Sequence, residues 1–205
     1  MLRARQLGIS FIEIAIGLAI LGISMAWAIP SYSVWMQNTQ IRNMAESIVG
    51  GLQLARSEAI NRNNSVEFVL TNVDPVAGNR DTIAVDSAGK NWMVRVVVDP
   101  TINPTAYDFV TGHSSEEGAR NATVTTTDDL SAVTYDGLGR IRATNDDGSV
   151  PIAQICVGSA TLVPGDGARI LEINVGTSGQ MRVCDPSVAD ATDPRICRAP
   201  GPRCS

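Results

Sequence analysis

The run from Ile9 to Ile29 constrains this chain more than any other feature. Its 21 residues hold one strongly polar side chain, Glu13, with Ser10 and Ser24 beside it. As a helix rising about 1.5 Å per residue, the run is about 31 Å long, the thickness of a bilayer's hydrocarbon core. A short basic leader, residues 1–8 with Arg3 and Arg5, precedes it. Cationic flanks stay on the cytoplasmic side, so the rest of the chain is expected beyond the membrane. A cleaved secretory signal shares the basic start and the apolar stretch. This run is longer than a usual signal core and no Ala-x-Ala site follows it, so a retained anchor is the expectation.

Past Pro30 the helical pattern continues. Ile41, Met44, Ala45, Ile48, Leu52, Ala55 and Ala59 recur at three- and four-residue steps and mark one apolar stripe. Gln37, Arg42, Asn43, Glu46, Gln53, Arg56 and Glu58 fill the polar side. Gly50-Gly51 weakens the helix locally, and the Asn61–Asn64 run ends it. From Ser10 to Arg62 such a helix is about 80 Å long. No soluble domain buries a rod of that length. Its first half needs lipid or a filament core, and its second half needs a domain to dock on.

Glu13 decides what the rod is for. A carboxylate in hydrocarbon costs several kcal/mol unless it meets a cation. Nothing basic lies within two turns on its C-terminal side, and the nearest positive groups are upstream, at Arg5 or at a new amine made by cutting the chain. If the chain is cut after Gly8, Ile9 gains a free α-amine and Glu13 becomes the fifth residue. That amine, on a neighbouring subunit, is a partner for Glu13.

Gly8-Ile9-Ser10-Phe11-Ile12-Glu13-Ile14 resembles the class III signal sequence of type IV pilins and pseudopilins. The resemblance implies cleavage after Gly8 by a prepilin peptidase, N-methylation of Ile9, and a role for Glu13 in filament assembly. Family members usually begin with Phe or Met where this chain has Ile9. Pro30, the 22nd residue counted from Ile9, matches a helix-bending proline of the family. Leu54-Ala55-Arg56-Ser57-Glu58-Ala59-Ile60 is similar to a segment of FimT-like minor pilins and of H-type pseudopilins of type II secretion systems. The resemblance implies four segments: leader 1–8, transmembrane or filament-core helix 9–35, amphipathic half-helix 36–64, and periplasmic head 65–205.

Beyond Ser65 the period switches to strands. These are expected at 66–70, 92–98, 122–126, 130–135, 151–156, 169–175 and 180–184. Asp136-Gly137, Asn145-Asp146-Asp147-Gly148, Pro164-Gly165-Asp166-Gly167 and Ser178-Gly179 punctuate them, the last closing a hairpin. The fold class is α+β: a long N-terminal α-helix packed on a C-terminal antiparallel β-sheet head, the lollipop outline of the pilin family.

Cys156, Cys184, Cys197 and Cys204 lie in the final quarter. An even count beyond a membrane anchor argues for disulfides. The favoured pairing is Cys156–Cys184 between strands with Cys197–Cys204 around Pro200-Gly201, and Cys184–Cys197 is the rival. Zinc is disfavoured because no CxxC pair is present.

The chain carries 16 Lys+Arg against 21 Asp+Glu, net −5, so generic nucleic-acid binding has no electrostatic basis without a local cluster. Such a cluster is Gly139-Arg140-Ile141-Arg142, with Arg182, Arg195, Arg198 and Arg203 further on. It is similar to the GRxR motif with which FimT-like competence pilins bind DNA. Gly179-Gln180-Met181-Arg182 occupies a comparable place, with Gln for the first Arg. The competing reading is solvated charges or subunit contacts, with Asp185, Asp190 and Asp193 weakening the field.

There is no GxxxxGK[ST], HExxH or GxSxG, and a single histidine, His113, leaves little for hydrolytic or His-rich metal chemistry. Asp146-Asp147-Gly148 lacks the alternating ligands of a calcium loop and reads as a turn. No enzyme, metal or cofactor is expected. The resemblance implies a minor pilin that helps prime or tip a type IV pilus. Its partners would be prepilin peptidase, other minor and major pilins, and the inner membrane. Alternatives are a DNA-binding minor pilin of natural transformation and an H-type pseudopilin of type II secretion.

Overall fold

A computed structural model describes residues 10–98, 106–162, 167–197 and 204; inside the helix, the side chains of residues 26–31 are outside that set. Among the described residues there is one α-helix, α1 (Phe11–Arg62), and eight strands. They are β1 (Val66–Thr71), β2 (Asn91–Val97), β3 (Tyr107–His113), β4 (Ala122–Thr126), β5 (Ala132–Tyr135), β6 (Gln154–Ser159), β7 (Leu171–Val175) and β8 (Met181–Cys184). The contacts divide the chain after Met36 into two compact units.

In the first unit, α1 exposes its large apolar side chains from Phe11 to Met25, and Tyr32 and Trp35 touch through their rings at 5.9 Å. α1 runs on through Pro30. Among the described residues no helix is long and apolar enough to cross a membrane.

In the second unit the strands form two antiparallel sheets, ordered β3-β2-β1-β5 and β4-β6-β7-β8. One core joins them to α1. Ile41, Met44, Ala45, Ile48, Leu52, Ala55 and Ala59, the apolar stripe of the helix, pack with Phe68, Val94 and Val133 of one sheet and Val124, Ile155 and Ile173 of the other. The stripe is buried because its three- and four-residue steps put every member on one face. Gly51 has a packing reason. A Cβ there would meet Phe68 and Trp92 ring atoms at 2.9 Å. Trp92 stacks on both Phe68 and His113, and its Nε1 donates to Ser47 Oγ at 2.9 Å, which gives the lone histidine a structural place.

The helix ends where the asparagines predict. Asn63 takes a left-handed φ of 48°. Its N–H donates to the Ile60 carbonyl at 3.3 Å and the Asn64 N–H to the Ala59 carbonyl at 3.2 Å, a Schellman closure of the last carbonyls.

β1 is buried on both faces, although its sequence alternates. The segment 72–90 covers the outer face, where Val69, Met93, Ala132 and Ile83 form a second apolar cluster. Glu67 and Arg95 face each other there in register. β3 was not among the expected strands. Among the described residues it is an edge strand paired with β2, half-buried along most of its length.

Candidate functional site

The motif for processing and assembly begins outside the described residues: Gly8 and Ile9 lie there. Glu13 sits in the first turn of α1, its N–H donating to the Ser10 carbonyl at 3.0 Å. An acid in a helix's first turn is favoured by the backbone dipole, whatever else it does. Around it Phe11, Ile12, Ile14 and Ile16 are exposed, Phe11 by 87%. Leu18, Ile20, Leu21, Ile23 and Met25 continue the exposed series. The side chain of Pro30 is outside the described set.

Among the candidate basic residues, Arg140 and Arg142 flank Ile141, which bridges Tyr135. Each is engaged by a neighbouring acid. Arg140 Nη2 lies 3.1 Å from Asp136 Oδ2, and Arg142 Nη1 lies 2.9 Å from Asp146 Oδ1. The Asp136 carboxyl also accepts the N–H groups of Leu138 and Arg140. Desolvation pushes its pKa up, but those backbone bonds and the Arg140 guanidinium outweigh it and hold the carboxyl below its usual value. Arg195 pairs with Asp193 at 2.7 Å, and the Asp193 carboxyl is held down to about 2, chiefly by that guanidinium. Arg182 donates to the carbonyls of Pro194 and Ile196, tying β8 to the tail. Arg198 and Arg203 lie outside the described residues. Asp147 Oδ1 accepts the Ser149 N–H, so the Asp146-Asp147-Gly148 stretch is used as a turn.

Arg56 has a role that helical spacing does not reveal. Its Nε donates to the Gly139 carbonyl at 3.0 Å and its Nη2 to the Ser178 carbonyl at 3.5 Å. The Gly139 turn and the Gly179 turn therefore meet at one helix residue. Beneath them Tyr135 is fully buried, and its hydroxyl has no hydrogen-bond partner among the described residues. Burial pushes that phenol's pKa up and the Arg56 charge opposes it. Glu58, the other charge of the segment, pairs with Arg62 at 2.6 Å on the helix surface.

The cysteine pairing differs from the favoured one. The disulfides are Cys156–Cys204 and Cys184–Cys197, the second being the rival pair. Sheet order gives the reason. β7 lies between β6 and β8, and Glu172 faces Cys156 on one side and Cys184 on the other. Cys156 and Cys184 are thus two strand spacings apart, about 9.6 Å, beyond the reach of a disulfide. Each instead captures a tail cysteine. Glu172 was not singled out from the sequence; a polar residue in an alternating strand carries no mark of what its cross-strand neighbours are.

A family model described as type II transport protein GspH matches residues 44–179, well over half of the chain. The structure is similar to the type IV minor pilin FimU of Pseudomonas aeruginosa in two crystal forms. One is 15% identical with a TM-score of 0.47, covering 77% of this chain and 97% of that one. The other is 16% identical with a TM-score of 0.44, covering 73% and 97%. No curated protein matches the sequence significantly. The family-model match over residues 44–179 makes this chain a member of the GspH family.

Proposed function

We propose that the chain is a minor pilin, made as a prepilin, cut after Gly8 by prepilin peptidase and N-methylated on Ile9. It is held in the inner membrane by Ile9–Ile29 with its head in the periplasm, and then enters a type IV pilus, where it helps prime or tip the filament. The observation that carries this reading is the uncovered apolar series from Phe11 to Met25 on α1. Full burial of one such side chain stabilises by about 1.5–3 kcal/mol, so this series drives the helix out of water and against lipid or like helices. Glu13 then supplies register. Its burial is tolerated when the free amine of a neighbour's Ile9 neutralises it. The test is twofold. Mass spectrometry of the protein from its host should show residues 1–8 removed and one methyl added. Glu13→Ala should insert in the membrane yet be missing from sheared pili; normal incorporation overturns the reading.

A second reading, an H-type pseudopilin of type II secretion, is favoured by the description of the matching family. Deletion of the chain separates the two. Loss of surface pili with intact secretion supports the first, and periplasmic retention of secreted proteins with intact pili supports the second. DNA uptake has less support, because Arg140, Arg142 and Arg195 each sit against a carboxylate. Salt-dependent retention of duplex DNA, lost on Arg140→Ala/Arg142→Ala, would establish it.

A further inference from the structure

Aromatic side chains are scarce in this chain: three Trp, three Tyr and three Phe among 205 residues. Three of them, Trp27, Tyr32 and Trp35, fall within nine consecutive positions, where the apolar run gives way to Gln37 and Asn38. The third tryptophan, Trp92, has a core role, stacked on Phe68 and His113. Tyr32 and Trp35 have no such place. They are 60% and 61% exposed. Three positions apart on α1, they share one face of the helix, with ring centroids 5.9 Å apart and planes tilted by 36°. Trp27 extends the group in sequence; its side chain is outside the described set.

Lengths along the helix say what covers the two rings. No charged residue lies between Glu13 and Arg42. The 28 positions from Ile14 to Ile41 rise about 42 Å. A bilayer with both headgroup layers is about 40–45 Å thick, so the uncharged stretch matches the whole membrane rather than its hydrocarbon alone. Measured from Ile29, the end of the apolar run, Tyr32 stands about 4.5 Å further on and Trp35 about 9 Å. Helical side chains lean toward the N-terminus, which draws the Trp35 ring back toward Tyr32. Both rings then fall in the headgroup layer. Trp and Tyr suit that layer because each has an apolar body and a polar tip.

We propose that Tyr32 and Trp35 form an interfacial anchor, seated among the phospholipid headgroups on the periplasmic side and setting the depth of α1. The proposal rests on the reading of Ile9–Ile29 as a membrane anchor and names the surface that fixes its position. It has a consequence for Glu13, 19 positions before Tyr32. That separation is about 29 Å along the axis, or about 27 Å at a common tilt of about 20°. With the rings at one interface, Glu13 reaches the opposite edge of the hydrocarbon, near water and headgroups. The ring pair thus keeps the lone carboxylate out of the middle of the bilayer before any neighbour meets it.

The test uses the full chain in vesicles of phosphatidylethanolamine and phosphatidylglycerol. Flotation comes first: a chain that does not float with the vesicles overturns the membrane anchor and this proposal with it. In a chain that floats, Trp27→Phe leaves Trp35 as the tryptophan next to the apolar run, with Trp92 buried in the head as a constant background. Lipids spin-labelled at the headgroup should quench Trp35 emission at least about twofold more than lipids labelled near the acyl-chain ends, because an interfacial ring lies at headgroup level. Equal quenching from both depths, or none from either because a neighbouring copy or water surrounds the ring, would overturn the proposal while leaving the membrane anchor standing.

Depth setting is read from Trp27. Trp35→Tyr keeps an amphipathic ring, and Tyr32→Ala/Trp35→Ala keeps none; both should float. The ratio of shallow to deep quenching of Trp27 should differ between these two variants. An unchanged ratio would mean that the rings follow the depth of the helix rather than set it, and would overturn that role.

Discussion

Arg56 on α1 donates through Nε to the Gly139 carbonyl at 3.0 Å, across 83 positions of sequence. The bond fastens the turn after β5 to the helix, and the weaker contact with Ser178 adds the β7–β8 hairpin to the same anchor. Hydrogen bonds involving a charged partner contribute about 1.5–3 kcal/mol. Arg56→Met keeps much of the apolar stem and removes the donors. It should lower stability by about 1.5–3 kcal/mol in chemical denaturation. A loss under about 0.5 kcal/mol would mean that water replaces the guanidinium without penalty.

Gly179 sits against that anchor. Its φ is +79°, and a Cβ there would lie 2.2 Å from the Gly139 carbonyl oxygen. Gly148 has a similar φ of +83° with nothing within 4 Å of a Cβ. Comparing the two separates backbone strain from collision. Gly148→Ala should cost only the left-handed penalty, about 1–2 kcal/mol. Gly179→Ala should cost that amount plus the displacement of a backbone carbonyl, which overpacking puts at a further 1–3 kcal/mol or so. Equal melting-point losses for the two would show that the turns part freely.

The long helix was legible because its signals are local. Three- and four-residue apolar steps place Ile41 to Ala59 on one side, and asparagines with little helix propensity close the end. What escaped is tertiary. Tyr107, Phe109, Thr111 and His113 alternate with Asp108, Val110 and Gly112, but an edge strand half open to solvent, with a register shift against β2 opposite Val110, leaves only a short apolar signal. The antiparallel β-sheet head was expected without its strand order, and it consists of two sheets. Periodicity says which residues share a face, not which strands are neighbours. The disulfide pairing failed for the same reason, since the position of β7 between β6 and β8 is a matter of sheet order. Arg56 and Glu58 look alike on a helical wheel. One anchors two turns and the other pairs with Arg62, and only the packed head distinguishes them.

Glu67 and Arg95 form a buried cross-strand pair on the outer face of the first sheet, Nη2 to Oε2 at 2.7 Å. Arg95 also lies over the Tyr107 ring at 3.5 Å and donates to the Arg80 carbonyl. Burial pushes the Glu67 carboxyl up, and Arg95 opposes that rise. Burial, then the Glu67 charge, pushes the Tyr107 phenol up to about 12. Breaking such a pair from one side leaves a bare buried charge. Glu67→Ala should therefore cost about 3–5 kcal/mol, whereas Glu67→Met/Arg95→Leu together should cost far less. A double-mutant cycle in urea checks this; equal losses for single and double variants would show that the pair contributes only through its apolar stems.

Asp136 gives the head a stability that depends on pH. Its folded-state pKa lies below its ordinary value of 3.8, because backbone N–H groups and Arg140 together outweigh desolvation. A depressed carboxyl pKa stabilises the fold above the ordinary value, and that contribution is lost as pH falls through the folded-state value. Glu67 has the opposite sign. Its raised pKa favours the fold below its ordinary value of 4.5, and that contribution is lost as pH rises through the folded-state value. Asp136→Asn isolates the first effect. Its deficit in melting temperature relative to the native chain should be full at about pH 6 and should shrink steadily below about pH 3.8 as the native carboxyl takes up its proton. A deficit that stays constant across that range would mean that the turn from Asp136 to Arg140 depends on the shape of the side chain rather than on its charge.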